Sequence, residues 1–276
     1  MSARDAFLVA LVAAGLEPIK PLRLDEGRLE RFRVAGDKAG SRNGWAVFHS
    51  LPAPFGAFGS WRTGESQAWR GTTNEQLTAA QRVEQGRQLA ALRQARAEDA
   101  ARTHAAAAAR AAKLWHGARP ATDDHPYLRR KAVHSYGLRA LRDQLMVPAR
   151  DADGQLHTLQ FIGPDGAKRF LTGGRIRGGY YAIGRPDDAL LLAEGYATAA
   201  TLHQATGHAV AVCFNCGNLV AVARALRAKF PRLRLVVCAD DDTGTPGNPG
   251  LTAAREAARA IGGVVAVPNF GGVVHG

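Results

Sequence analysis

The stretch Ala189-Leu-Leu-Leu-Ala-Glu-Gly-Tyr-Ala-Thr-Ala-Ala200 decides the fold class of this chain. Its first five residues are apolar without interruption, which is typical of a strand buried on both faces, and the residues from Tyr196 onward favour a helix. The same order continues toward the C-terminus, with strands predicted at 209–214, 233–239 and 264–267 and helices at 196–206, 219–229 and 250–261. Regular alternation of this kind predicts an α/β fold, a parallel sheet with helices on both faces.

Acidic residues follow two of these predicted strands. Glu194 follows the first strand, and Asp240-Asp241-Asp242 follow the strand at 233–239. Because ligands of open parallel sheets bind outside the carboxyl ends of the strands, Glu194, Asp240 and Asp242 are expected to face a common point, with Asp241 on the other side. Clustered carboxylates repel one another, and Mg²⁺ would hold them together. A solvated strand end or a helix N-cap is the alternative for the three aspartates alone.

The chain before this domain separates by composition into three parts. Residues 1–75 combine a short helix at 5–14 with alternating, glycine-punctuated segments, which predict a small β-rich module. The second part, residues 76–120, is a helical connector. One long helix rich in Ala and Arg is predicted at 74–118, and it would lie on a surface or connect its neighbours. Residues 121–184 read as an antiparallel meander with strands at 145–148, 155–161 and 168–170, and residues 185–276 form the α/β domain.

Charge is distributed unevenly along the chain. The net charge is +12, and residues 1–180 hold 28 basic against 17 acidic residues, whereas the remainder holds 8 against 7. Clustered lysines and arginines neutralise phosphates, so the leading partner is a nucleic acid. A GC-rich genome that favours Arg and Ala is the alternative explanation of the same composition.

Several protein classes are excluded by composition. Three cysteines in 276 residues cannot form a secreted disulfide scaffold. No apolar run approaches the roughly 20 residues of a membrane span, and no export signal is visible, so we expect a cytoplasmic protein without a membrane partner. No Gly-x-x-x-x-Gly-Lys-Ser/Thr motif is present, so strand opening would require a separate replicative helicase.

The motifs resemble those of a known family. Glu194-Gly-Tyr196 after an apolar strand, with a later apolar strand ending in Asp-x-Asp, resembles the Toprim fold shared by bacterial-type primases, topoisomerases and some nucleases. Upstream, Leu145-Met-Val-Pro-Ala-Arg-Asp-Ala-Asp-Gly154 and Lys168-Arg-Phe170 resemble the basic subdomain that precedes Toprim in DnaG-type primases. His125-Pro-Tyr-Leu-Arg-Arg-Lys131 is most similar to primases carried by plasmids, phages and integrative mobile elements. The resemblance covers about residues 123–270.

The resemblance implies a DNA primase, a nucleotidyltransferase that makes short RNA primers on single-stranded DNA from ribonucleoside triphosphates. It implies that Glu194 is a general base or a metal-orienting carboxylate, and that Asp240 and Asp242 hold Mg²⁺ or Mn²⁺, with Asp241 as a further candidate ligand. Lys168 and Arg169 would bind template or nucleotide phosphates. Further candidates for nucleotide or template binding are Arg129, Arg130, Lys131, Arg175 and Arg177. Many primases have an acidic residue where this chain has Thr198, which puts one ligand position in doubt.

The N-terminal module resembles a Gly- and Trp-rich module that precedes Toprim in mobile-element primases. It contains no cysteine, so a four-thiolate zinc site is excluded there and no zinc is expected. The module would be a metal-free counterpart of the zinc ribbon. Arg42, Trp45, Trp61 and Arg62 offer cations and flat rings for stacking single-stranded bases, while core packing is the alternative for each Trp, including Trp69.

Other features leave alternatives open. Cys213-Phe-Asn-Cys216 is either a pair of buried thiols or a redox or zinc motif. The tract Gly173-Gly-Arg-Ile-Arg-Gly-Gly179 is a mobile basic loop or a hairpin, and residues 243–250 cradle phosphates or form an ordinary loop. For the whole chain, the alternatives to a primase are a non-polymerising ssDNA-binding accessory protein and a Toprim-type metal-dependent nuclease.

Overall fold

A computed structural model describes residues 2–50, 54–60, 63, 66–71, 78–240 and 248–268. The chain divides into two compact units, Met1–Glu98 and Asp99–Gly276. The long helix α2, Ala79–Gly117, contributes its first half to one unit and its second half to the other. None of the helices in the described ranges combines the length and the apolarity needed to cross a bilayer.

The first unit is a helix on a four-stranded antiparallel sheet. Helix α1 (Ala3–Ala13) begins with a capping box, in which Ser2 accepts the Asp5 N–H and the Asp5 carboxylate accepts the Ser2 N–H. The sheet has strands in sequence order: β1 Glu30–Phe32, β2 Gly44–His49, β3 Phe55–Ser60 and β4 Ser66–Arg70.

An aromatic cluster forms the core of this unit. The Phe7 ring of α1 lies 5.3 Å from Phe48, 5.5 Å from Phe58 and 5.4 Å from Trp69 between centroids. Trp69 is half-buried and packs against this core. Trp45 alternates with the buried Ala46 and Phe48 along β2, so it lies half-buried on the other face of the sheet.

The second unit begins with an antiparallel sheet whose strands also follow sequence order. The predicted meander is confirmed, with two additional short strands at its start. The elements are β5 Arg119–Pro120, α3 Pro126–Lys131, β6 Arg139–Leu141, β7 Gln144–Arg150, β8 Leu156–Ile162 and β9 Lys168–Phe170.

Both faces of this antiparallel sheet are covered. On one face, Met146 and Phe161 pack with Ala111 and Trp115 from the C-terminal half of α2. On the other face, residues such as Val147 join the core of the α/β domain. The weakly apolar helix thus buries small residues, with Ala111 0% exposed, against large partners from the sheet.

The predicted parallel sheet is confirmed and carries one antiparallel edge. Its order is β10-β12-β11-β13-β14, and only β10 runs antiparallel to its neighbour. The strands are β10 Tyr181–Ile183, β11 Ala189–Ala193, β12 Ala209–Val212, β13 Arg234–Cys238 and β14 Val264–Ala266. The helices are α4 Tyr196–Thr206, α5 Leu219–Lys229 and α6 Pro249–Ile261.

Sequence patterns predicted the long elements within a few residues and missed several of the short ones. Helix α3 and strands β4, β5, β6 and β10 were not predicted. Four of these five elements span two to five residues, and the other spans six, so each is too short to show a hydrophobic period. Their conformation depends on neighbours that are distant in the sequence.

Candidate active site

Two half-buried carboxylates lie at the carboxyl ends of adjacent parallel strands. β11 and β13 are direct neighbours, with Leu192 paired to Val237. Continuing this register sets Glu194 opposite Ala239, one residue before Asp240. Neighbouring strands lie about 4.8 Å apart, so Glu194 and Asp240 share one edge of the sheet. That the two side chains face a common crevice stays a prediction.

The charges of both carboxylates act on neighbouring thiols. Burial and then the charge of Glu194 raise the pKa of the Cys213 thiol, which is 0% exposed. Burial and then the charge of Asp240 raise the pKa of the Cys238 thiol to about 11. Cys213, Cys216 and Cys238 are free cysteines, and Cys213 packs in the core. The Cys213 and Cys238 thiols are protonated packing groups beside the edge that holds the carboxylates.

Lys168 reaches this edge from the antiparallel sheet. A Cβ placed on Gly195 would lie 3.6 Å from Lys168 Nζ and 3.9 Å from Thr198 Oγ1. The ammonium group is therefore next to the turn that follows Glu194. Gly195 is also the N-cap of α4, and no side chain caps that helix. Thr198, at the position where the family resemblance led us to expect an acidic residue, is neutral, and its hydroxyl lies near Gly195 as well.

Arg169 points away from the same edge. Its Nη2 donates to Gln144 Oε1 at 2.6 Å, and its guanidinium lies 4.6 Å from the centroid of the Phe161 ring. Phe161 is paired with Arg169 in the antiparallel register and packs on the face covered by α2. Since side chains alternate along a strand, Lys168 and Arg169 lie on opposite faces of β9.

Comparison with known families identifies the domain that carries this edge. Residues 189–269 match the family model described as the Toprim domain. The C-terminal part of the chain is a Toprim domain. Glu194 and Asp240 both lie within the matched residues.

The homology extends beyond the Toprim domain. Two Escherichia coli proteins, each named DNA primase TraC, are 38% and 34% identical to this chain over 96% and 98% of its length. The matches cover 26% and 20% of those relatives, so the chain corresponds to about a quarter or less of each. The primase fragment of the bacteriophage T7 primase-helicase protein overlaps 56% of this chain and 71% of its own chain, with 13% identity and a TM-score of 0.41.

Aromatic residues join the Toprim domain to the antiparallel sheet. Tyr196 begins α4, is fully buried and donates its hydroxyl to the carbonyl oxygen of His134 at 2.8 Å. Tyr181 donates to the carbonyl oxygen of Tyr136, and burial raises the pKa of Tyr181 to about 12. The sequence motif Glu-Gly-Tyr therefore combines an edge carboxylate with a buried anchor.

Phe214 marks the end of the neighbouring strand in the Toprim domain. It follows β12 with a φ of +74°, an uncommon conformation for a bulky residue. Its ring packs edge-on against Phe170 of β9 at 5.5 Å between centroids. The contact holds β9, and therefore Lys168, against the carboxyl edge. Sequence reasoning did not single out this pair.

The glycine-rich tract at 173–179 links β9 to β10, which belong to different sheets, so it is a loop rather than a hairpin, and hydrogen bonds hold it in place. The buried Asn218 of the Toprim domain accepts the Gly178 N–H at 2.8 Å and donates to the Gly179 carbonyl oxygen at 2.9 Å. Arg175 donates to Asp151 Oδ2 at 3.3 Å. Arg177 is exposed, so its side chain faces solvent while Arg175 is used in holding the tract.

The basic residues 129–131 form the last turn of α3. Arg130 donates to the Pro164 carbonyl oxygen at 2.9 Å and lies over the Tyr127 ring at 5.9 Å. Arg129 and Lys131 are exposed. Cations at a helix C-terminus are favourable without a ligand, so nucleic-acid binding by these residues stays a prediction.

One further group has the spacing of metal ligands. Donor atoms of Asp187, Asp188 and His208 lie within 4.8 Å of one another, and His208 Nδ1 is 3.3 Å from Asp188 Oδ1. These residues precede β11 and β12, so they lie at the amino edge of the parallel sheet. Both aspartates are exposed and His208 is half-buried, and the group is at the opposite edge from Glu194 and Asp240.

Some predicted site residues lie outside the described residues. These are Asp241, Asp242, Trp61 and Arg62, together with most of residues 243–250, for which a phosphate cradle and an ordinary loop were both left open. Arg42 and Trp45 are described and belong to the first unit, where Arg42 is exposed and Trp45 is half-buried.

Proposed function

We propose that the chain contains the catalytic core of a DNA primase, which synthesises short RNA primers on single-stranded DNA. The observation that carries the proposal is the position of Glu194 and Asp240 at the carboxyl ends of two adjacent parallel strands, with Lys168 Nζ beside the turn that follows Glu194. Homology to two proteins named DNA primase over nearly the whole chain supports the reaction class.

The donor set fits a hard divalent cation. Glu194 and Asp240 offer carboxylate oxygens, which Mg²⁺ and Mn²⁺ prefer, and both are only half-buried, which leaves access for water and phosphate. The charge that each places on a neighbouring cysteine indicates a negative edge that a cation would neutralise. Asp242, and Asp241 as a further candidate, would complete the set. When bound, the ion would neutralise charge on the reacting phosphates.

The chain's own residues would bind and orient the nucleotides. In primer synthesis the 3′-hydroxyl of one ribonucleotide attacks the α-phosphate of the next, and pyrophosphate leaves. Glu194 would accept the hydroxyl proton or orient the ion, and Lys168 would bind a phosphate of the incoming triphosphate. Phe170 and Phe214 hold the lysine-bearing strand in position. Electrostatic positioning of this kind is the main contribution of protein groups to phosphoryl transfer.

Primer synthesis tests the proposal directly. The full chain, single-stranded DNA, ribonucleoside triphosphates and Mg²⁺ or Mn²⁺ should yield short RNA products on a denaturing gel. Glu194→Gln and Asp240→Asn should each lower the rate by about a hundredfold or more, because removing one stabilising group from a polar active site commonly has that effect.

A matched control is Asp188→Asn, which makes the same chemical change at the opposite edge of the sheet and should retain the wild-type rate. Wild-type rates in Glu194→Gln and Asp240→Asn would contradict the proposal. Metal-dependent degradation of DNA without nucleotides would assign the site to a nuclease, and salt-sensitive strand binding without any primer would assign the chain to an accessory protein.

The biological setting follows from the proposed reaction. The chain would act during replication or transfer of a plasmid or another mobile element, and its partners would be a single-stranded DNA template and ribonucleoside triphosphates. A further proposed partner is a separate replicative helicase, which would open the duplex.

A further inference from the structure

We propose that an arginine-lined cleft in the first unit binds the phosphate groups of a single-stranded nucleic acid. The cleft has a volume of about 200 Å³, and its charged lining consists of Arg23, Arg28, Arg31 and Arg42 with Asp25 and Glu30. This inference rests on the proposed function, since the bound strand would be the template. It assigns template binding to residues that are in a different unit from the Toprim carboxylates.

Two of the arginines hold each other in place. Arg31 donates from Nε and Nη2 to the Arg42 carbonyl oxygen at 3.3 and 3.1 Å, and Arg42 donates in the same way to the Arg31 carbonyl oxygen at 3.3 and 3.0 Å. Both side chains are exposed. A guanidinium that is already fixed loses little further freedom when it binds a phosphate.

The carboxylates of the cleft do not cancel its positive charge. Glu30 Oε2 accepts the Leu24 N–H at 2.9 Å, and this bond supports a backbone turn in which Leu24 has a φ of +50°. Asp25 pairs with Arg28 at 3.7 Å, and both side chains are more than half exposed. Four arginines against two carboxylates leave the cleft with a net positive charge, which favours the binding of an anion.

The volume of the cleft selects the size of the group that enters. Pockets that enclose whole drug-sized ligands measure roughly 300–1,000 Å³. A cleft of about 200 Å³ is below that range. It has room for a phosphate and part of its sugar, with the rest of the strand outside. A chain of phosphodiesters therefore fits better than a complete nucleotide.

An aromatic residue adjoins the cleft and favours a single strand over a duplex. Arg31 is paired with Trp45 in the β1–β2 register, and Trp45 is paired with Gly59 in the β2–β3 register. Gly59 has no side chain, so β3 contributes no side chain next to the indole ring at this position. Single-stranded bases stack on such rings while the backbone follows a basic groove.

Strand binding by the full chain tests this site. We would measure fluorescence anisotropy of a labelled oligodeoxythymidine over a series of KCl concentrations. Arg31→Gln/Arg42→Gln should weaken binding about tenfold and lower the slope of log K against log salt by about 1. The matched control, Lys20→Gln/Lys38→Gln, removes the same charge from exposed positions of the same unit outside the cleft and should change binding less than about twofold.

A second double variant keeps the test valid if loss of the hydrogen bonds between Arg31 and Arg42 disturbs the folding of the first unit. Arg23→Gln/Arg28→Gln leaves those bonds intact and should still weaken binding about threefold or more. Equal losses of affinity in the cleft and control variants would overturn the inference. Displacement of the labelled strand by free ATP would also overturn it, if ATP acted at the same concentration of phosphate groups as unlabelled oligonucleotide.

The failure of this inference can be distinguished from the failure of the proposed function. If the cleft variants bind DNA normally while Glu194→Gln abolishes primer synthesis, the cleft assignment is wrong and the active site stands. If the cleft variants lose strand binding while the wild type makes no primer under any condition, the cleft stands and the primase proposal is wrong.

Discussion

At the scale of single residues, the motif Glu-Gly-Tyr shows how one short sequence serves both chemistry and folding. Glu194 stays at the edge of the sheet, whereas Tyr196, two residues later, is 0% exposed and bonded to the carbonyl oxygen of His134. Gly195 between them is the N-cap of α4 and lies next to the Lys168 ammonium group. Each of the three residues therefore has a separate physical role.

Removing the Tyr196 hydroxyl should loosen the connection between the Toprim domain and the segment after α3. Tyr196→Phe leaves the His134 carbonyl without this donor, and we expect a loss of about 1 kcal/mol in the free energy of unfolding. Urea denaturation followed by far-UV circular dichroism measures it. The control is Tyr127→Phe, a buried ring whose hydroxyl has no hydrogen bond among the described residues. An equal loss in both variants would contradict the assigned role of the Tyr196 bond.

At the scale of elements, the tract at 173–179 is a basic loop made rigid by its neighbours. A Cβ on Gly174 would lie 2.1 Å from Thr158 Oγ1, so only glycine fits against that buried threonine. Asn218 fixes the far end of the tract, and Asp151 holds Arg175. The tract can present Arg177 in a fixed position, which a mobile loop could not do.

The bond network at Asp151 predicts a pH dependence. Burial opposes ionisation of Asp151, but the bond from His157 at 2.6 Å and the backbone N–H groups of Gln155 and Asp153 outweigh it, so the pKa of Asp151 lies below its usual value. A lowered folded-state pKa means that the ionised carboxylate stabilises the native state above the unfolded value of about 4 and loses this effect as the pH falls.

Asp151→Asn should therefore destabilise the chain by about 1–2 kcal/mol at pH 7, and the difference from the wild type should shrink below about pH 4. Urea unfolding at a series of pH values checks this. Asp153→Asn, at an exposed position in the same turn, serves as the control. Its difference from the wild type in the free energy of unfolding should not shrink as the pH falls. A difference that stays constant from pH 7 to pH 3 would contradict the prediction.

At the scale of the whole molecule, the excess of basic residues and the proposed catalytic residues lie in different parts of the sequence. The excess of basic residues lies in residues 1–180, and the proposed catalytic carboxylates lie in the nearly neutral remainder. Strand affinity and catalysis should therefore respond to different substitutions, because the phosphates are neutralised mainly by residues other than those at the carboxyl edge.

Removing the metal should show that strand affinity does not depend on the proposed catalytic carboxylates. In EDTA, Glu194→Gln/Asp240→Asn should bind single-stranded DNA at least as tightly as the wild type, because the variant removes two negative charges and no cation. The slope of log K against log salt should be unchanged. Anisotropy measurements over a salt series test this. A tenfold weaker affinity would mean that the carboxyl edge itself holds the strand.

The sequence by itself determined the α/β class, the parallel sheet and the positions of Glu194 and Asp240 after their strands. These follow from local properties: continuous apolar runs of 4 or 5 residues in the central strands, helices of 11 to 13 residues between them, and polar residues where strands stop. The meander before the domain was equally readable, because Asp-Gly turns separate its strands.

Only the tertiary structure decided which neighbouring residues act together. Lys168 and Arg169 are adjacent and equally basic, yet one reaches Gly195 and the other packs on Phe161. Arg31 and Arg42 are separated by eleven positions, yet each holds the other's main chain. A pattern of residues fixes the side of a strand on which a side chain lies, but packing between distant segments decides what that side meets, because those contacts form only when the sheets and helices assemble.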